Sequence, residues 1–249
     1  MSLDGVGGSN ALLQIIKHTA TNEVKCYACF VRNREYGQFC GLARAAEVLG
    51  QRWTLLILRD LLIGPRRYSD LAAGLPGIPS NLLSTRLKEL EQDGVIMRRA
   101  RSGADRSIVY ALTDRGAELQ PALDALSRWG AAGMREPREG EIVTEASLVS
   151  ALRVAADGAT ATGQRLVFTV RVGAAAAHAI VGGGAVQVGA GEHPDADLVI
   201  TAGPGLRDLL AGTLEPATAI SEGAVAVDGD ARLLEDFVSI FTVPYSPAC

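Results

Sequence analysis

The sequence predicts an α+β protein in two unlike parts, and three observations carry that prediction. Between Cys40 and Gly94, apolar residues recur at spacings of three and four in segments broken by Gly and Pro, and a β-branched hairpin and one more helical stretch follow. From Arg165 onward the period changes to two, in short runs separated by glycine. Charge divides near the same boundary: residues 32–138 hold seventeen Lys/Arg against twelve Asp/Glu, whereas residues 139–249 hold five against fourteen. A chain of 249 residues can build two modest cores. Hydrophobic content of 48% with 21% charged residues describes a globular chain and excludes a disordered one. No run of eighteen apolar residues occurs, so no membrane partner is expected. The first residues lack the order of a signal peptide, so a cytoplasmic location is expected.

In chain order, residues 1–34 show little pattern beyond "ALLQIIKH" and are expected to be a mobile N-terminal extension. "CGLARAAEVLG" sets Leu42, Ala45, Ala46 and Leu49 on one helical face and stops at Gly50. "RWTLLILRDLLIG" continues with Trp53, Leu56, Ile57, Asp60 and Leu61, stopped by Gly64-Pro65; "YSDLAAGL" is a third, shorter helix. Ser80 is a candidate cap for a fourth, with Leu83, Leu87 and Leu90 as its apolar stripe and Gly94 closing it. "VIMRR" and "SIVYAL" form a hairpin, and "TDRGAELQPALDALSRWGAAG" is read as one long helix, residues 113–133, with the stripe Leu119, Leu123, Leu126 and Trp129. Helix–helix–helix–helix–hairpin–helix is the order of a winged helix-turn-helix, whose second turn helix enters the major groove of DNA.

"MREPREGEIVTE" carries charge and proline and reads as a linker. Beyond it, "RLVFTVRVG" alternates with Leu166, Phe168, Val170 and Val172 on one face. "AHAIVGGGAVQVG" reads as two strands about a glycine turn and "ADLVITAG" as another strand. Two short helices, the strand "AVAVDGD" and the helix "ARLLEDFVSIF" follow. An antiparallel-looking sheet with helices after it is expected. The domains are thus an extension at 1–34, a DNA-binding and dimerisation domain at 35–133, a linker at 134–146 and a second domain at 147–249.

The chemistry lies in the basic half. Arg98, Arg99, Arg101 and Arg106 fall on the hairpin, and Arg66-Arg67 just before the third helix. Arginine at a helix N-terminus opposes the helix dipole unless a phosphate sits between guanidinium and free N–H groups, so these six are candidate contacts to the DNA backbone. Base contacts fall to Ser80, Asn81, Ser84, Thr85, Arg86 and Lys88, since Asn pairs with adenine and Arg or Lys with guanine. Cys26 and Cys29 form a CxxC with no second pair in view; a zinc site, a redox pair and two ordinary thiols all stay open. His178 and His193 lie far apart in sequence, and neither a metal site nor a cofactor is expected. No nucleophile, base and orienter occur at recognisable spacing, so an enzyme is not expected.

"CGLARAAEVLGQRWTLLILRDLLIGPRRYSDLAAGLPGIPSNLLSTRLKELEQDGVIMRR", continued by "YALTDRG", resembles the HxlR family of bacterial winged-helix transcription regulators over about residues 36–130. The resemblance implies a homodimer, joined through the helix at 113–133, on a two-fold-symmetric operator in double-stranded DNA. It departs at "GIPSN", where many members place a serine directly after the isoleucine, which shifts the helix cap by one residue. In some relatives the cysteine matching Cys40 senses oxidants; a buried structural thiol is the alternative. "DADLVITAGPGLRDLLAGTLEPATAISEGAVAVDGDARLLEDFVSIF" resembles the sterol-carrier-protein lipid-binding fold, over about residues 148–243. That likeness implies an apolar tunnel for a lipid or another apolar small molecule, with Phe168, Val188, Leu206, Leu210, Ile220, Phe237 and Phe241 as candidate lining; the same residues also suit a plain core. Two functions follow as expectations: a regulator whose DNA affinity answers to that ligand, or one that is constitutive or gated by Cys40.

Overall fold

A computed structural model of the chain describes residues 35–101, 107–134, 138–156, 163–203, 205–243 and 245. The segment 1–34, the "CYAC" pair, Arg106 and Cys249 lie outside the described residues.

Four helices open the described chain: α1 (Gly41–Leu49), α2 (Thr54–Ile63), α3 (Tyr68–Gly74) and α4 (Ser80–Gln92). The strands β1 (Ile96–Ala100) and β2 (Ile108–Leu112) pair antiparallel, with Arg98 opposite Tyr110. A short α5 (Asp114–Ala117) leads into α6 (Gln120–Ala132), so the single helix read from Thr113 is broken at Glu118-Leu119. This is a winged helix-turn-helix. Its core gathers Ile57, Leu58, Leu71, Leu83, Leu87 and Leu90, so the apolar stripe read on α4 is the buried one.

Local chemistry explains the joints. Gly94 follows α4 at φ 67°, the left-handed conformation a side chain resists. Thr113 accepts from the Gly116 N–H at 3.1 Å and so caps α5. Gly116 packs so close to the Val95 carbonyl that a Cβ would sit 2.1 Å from its oxygen. On α1 the expected face holds in part: Ala45, Ala46 and Leu49 are half-buried, whereas Leu42 is exposed and Ala43 turns inward.

Helix α7 (Glu145–Ala155) begins at the end of the segment read as linker, and Thr144 and Ser147 cap it reciprocally, at 3.2 and 2.9 Å. It is buried on more than one side, through Ala146, Leu148, Val149, Ser150, Leu152, Val154 and Ala155, between α2 and α6 on one flank and the following sheet on the other. That burial erases the polar stripe by which sequence periodicity finds a helix.

The second part contains β3 (Leu166–Val172), β4 (Ala175–Gly182), β5 (Ala185–Ala190), β6 (Leu198–Ala202), α8 (Leu206–Leu210), α9 (Pro216–Ser221), β7 (Val225–Gly229) and α10 (Leu233–Ile240). The strands lie in the order β5-β4-β3-β6-β7. The sheet is mixed rather than antiparallel throughout, because β6 returns parallel to β3, with Phe168 beside Leu198. Its core joins Leu148 and Leu152 of α7 to Phe168, Ile200, Leu209 and Phe237, and Ile63 and Ala131 of the winged half pack against it. The pairing also joins His178 and His193, far apart in sequence, with ring centroids 5.3 Å apart. No group of three metal-ligating residues forms among the described residues.

Candidate nucleic-acid interface

Helix α4 presents Ser80, Asn81, Ser84, Thr85 and Lys88 to solvent while Leu83, Leu87 and Leu90 anchor it. Pro79 takes the cap position, in extended geometry and with no side-chain cap bond, so Ser80 is the first helical residue and not the cap. The Ser80 carbonyl accepts from Tyr68 Oη at 2.8 Å and from Ser84 Oγ at 2.9 Å. Thr85 Oγ1 donates to the Asn81 carbonyl at 2.8 Å. Both hydroxyls thus turn their protons into the helix and offer a ligand their lone pairs. Asn81 Oδ1 accepts from the Leu82 N–H at 2.9 Å, leaving its amide N–H groups outward.

Arg86 departs from its expected role. It is buried, paired with Glu89 and within 3.3 Å of Gln51 Oε1, so its guanidinium ties α4 to the turn before α2 and does not face a base. Arg66, expected on phosphate, is likewise engaged elsewhere. Arg66 Nη2 reaches Glu145 Oε2 at 2.9 Å, and its backbone pairs with Tyr110 as a third rung on the wing. At the start of α3, the Asp70 carboxylate accepts from the Arg67 N–H at 3.0 Å, supplying the negative charge that a phosphate was expected to bring.

The wing does not carry one cluster. Successive strand residues face opposite ways, so Arg98 and Arg99 point apart. Arg98 Nε turns back to Glu91 of α4 at 2.9 Å. Arg99 and Arg101 share the other direction, are exposed, and make no ion pair among the described residues. Of the candidate cations, Lys88, Arg99 and Arg101 are the ones both exposed and without an ion pair among the described residues. Sequence reasoning missed the partners Glu91, Glu145 and Gln51, because each pairing depends on tertiary packing.

The other candidate residues divide sharply. Phe168, Phe237 and Phe241 are fully buried against one another, with centroids 5.4, 6.2 and 4.6 Å apart, as a close-packed core and not the wall of a tunnel. Leu210 is buried with them, whereas Val188, Leu206 and Ile220 are half-buried at the edge of that core. Cys40 is free and exposed immediately before α1 in the single chain. Arg44, one turn on, is bound to Glu47 at 3.0 Å, so its charge is already partnered.

Residues 48–137 match the family described as HxlR-like helix-turn-helix. An HTH-type transcriptional regulator of Synechocystis sp., sll1512, is 34% identical over 117 residues, which span 47% of this chain and 84% of the relative. YvaP of Bacillus subtilis, also an HTH-type transcriptional regulator, is 42% identical over 86 residues, or 34% of this chain and 80% of YvaP. Among solved structures, the reduced form of the transcriptional regulator YodB from B. subtilis is similar at 32% identity, over 37% of this chain and 92% of YodB, with a TM-score of 0.34.

Proposed function

This chain belongs to the HxlR-like helix-turn-helix family of transcriptional regulators, and from that premise we propose that it is a bacterial homodimeric DNA-binding regulator with α4 as its reading helix. The observation that carries the reading is the division of α4: three leucines buried, and Ser80, Asn81, Ser84, Thr85 and Lys88 turned to solvent. Asn81 and Lys88 read base edges, while Arg99 and Arg101 on the wing hold phosphate. The dimer forms through α6, whose Leu126 and Trp129 are 51% and 80% exposed, together with Phe39 and Leu42 before and within α1. Burying such side chains in a second copy stabilises by about 1.5–3 kcal/mol each. Selection of bound DNA from a random pool tests both parts. It returns two-fold-symmetric sites with half-sites about one helical turn apart; asymmetric sites, or no enrichment, refute the reading.

Residues 35–133 act as the DNA-binding and dimerisation unit and residues 147–249 as a sterol-carrier-like effector unit. An apolar or amphipathic ligand enters the second unit at its half-buried edge, by Val188, Leu206 and Ile220, and changes DNA affinity by binding one dimer geometry better than the other. Solvent extraction of the purified protein with mass spectrometry returns that ligand in stoichiometric amount; an empty extract from several hosts refutes it. A second reading, gating by oxidation, is favoured by the exposure of the Cys40 thiol. Under it, oxidant changes operator affinity in the unmodified chain and not in Cys40→Ser.

A further inference from the structure

Where the winged half meets the second half, a cavity of about 290 Å³ remains, walled by α2 and α3 on one side and by residues 142–146 and the β3–β4 turn on the other. Its size lies at the small end of the range for ligand sites. None of its residues belongs to the surface proposed above for DNA.

The wall is mostly apolar, Ala73, Val143 and Ala174 among its residues, and most of its charged groups are acidic. Three carboxylates line it, those of Asp60, Asp70 and Glu145, against the one guanidinium of Arg66, and Arg66 is already paired with Glu145. Asp60 stands out, because it is 3% exposed and sits on the face of α2 that otherwise carries Ile57 and Leu61. A plain core position would hold a leucine there, since a buried carboxylate costs free energy unless it is paired. Its pairing is one-sided: both bonds from Arg59, at 2.9 and 2.7 Å, fall on Oδ1. Oδ2 lies against Gly74, where a Cβ would come within 2.6 Å of it, so the absent side chain at 74 keeps this oxygen uncovered at the cavity wall. Burial pushes the Asp60 carboxyl above its ordinary range despite Arg59 and Arg66.

We infer that this junction cavity binds a small organic cation, an amine on a compact apolar body, with the ammonium against Asp60 Oδ2 and the body on Ala73, Val143 and Ala174. An anion meets three carboxylates there, and a neutral apolar molecule leaves Asp60 as it was. A cation adds a charge-assisted hydrogen bond at the carboxylate oxygen that Arg59 leaves unbonded.

The test titrates the full chain, without DNA, with 2-phenylethylamine and its neutral and anionic isosteres 2-phenylethanol and phenylacetate, by calorimetry. The amine binds saturably, at least about tenfold tighter than either isostere, as one charge-assisted bond implies. Asp60→Asn, which keeps the shape and removes the charge, reduces amine affinity by about the same factor. Ala174→Trp fills the cavity mouth from an exposed turn position, where the core is untouched, and abolishes binding; it decides the matter if Asp60→Asn fails to fold. Equal binding of the three probes, no saturable binding of the amine, or amine affinity unchanged in Ala174→Trp overturns the inference.

Discussion

The exposed pair on the wing yields a prediction whose size can be worked out in advance. Each protein cation that neutralises a DNA phosphate releases counterions, so log K falls with log salt by about 0.9 per contact. If Arg99 and Arg101 each hold one phosphate, Arg99→Ala with Arg101→Ala flattens the slope by about 1.8. Between 50 and 200 mM salt, the unmodified chain then loses about 12-fold more affinity than the double variant, since each contact accounts for about 3.5-fold. Arg98 is the internal control: strand alternation turns it away, and Glu91 at 2.9 Å offsets its charge, so Arg98→Ala changes the slope by less than half of one contact's worth, below about 0.45. Fluorescence anisotropy with a labelled duplex over a salt series reads all three proteins, and any duplex serves because the term is independent of sequence. An unchanged slope in the double variant, or an equal change in Arg98→Ala, refutes the assignment of faces on the wing.

Asn81→Ala relaxes specificity at a single operator position, at a cost of about 1–3 kcal/mol, read by competition among singly substituted operators; a uniform loss on every sequence makes Asn81 a backbone contact. Phe237→Ala lowers stability by about 3–5 kcal/mol in urea denaturation, because the ring is fully buried between Phe168 and Phe241; a cost below about 1 kcal/mol shows a void where close packing is described. Asp60 adds a pH signature. Its folded-state pKa is raised above the unfolded value, so the folded chain binds the extra proton and this group's contribution to stability falls as pH rises through that window, from the ordinary carboxylate value upward. Lowering the pH toward that value therefore favours the unmodified chain over Asp60→Asn, and a stability difference independent of pH refutes the raised pKa.

How much was legible depended on the range of the interaction. The elements of the winged half follow from local periodicity and from stops such as Gly94, and Leu83, Leu87 and Leu90 are indeed the inward stripe of α4. Thr113 announces the helix it caps. The strands of the second half were equally plain, because each alternates or ends at glycine. Local pattern failed where burial lay on more than one side. Helix α7 packs against both halves, so its sequence has no polar stripe to mark a period.

The sequence by itself therefore determined the type and order of most elements, the two-part charge division and the set of residues available for recognition. Only the tertiary structure decided which of those residues are free to act. Arg66 is committed to Glu145, 79 positions away, Arg86 to Gln51, and Arg98 to Glu91, leaving Arg99 and Arg101 outward. It alone set the parallel return of β6 on β3, the meeting of His178 with His193, and the cavity over Asp60. Periodicity and capping act within a turn or two of the chain and can be read along it. An ion pair, a sheet order or a cavity exists only once distant segments have packed, and its partners carry no mark of one another in sequence.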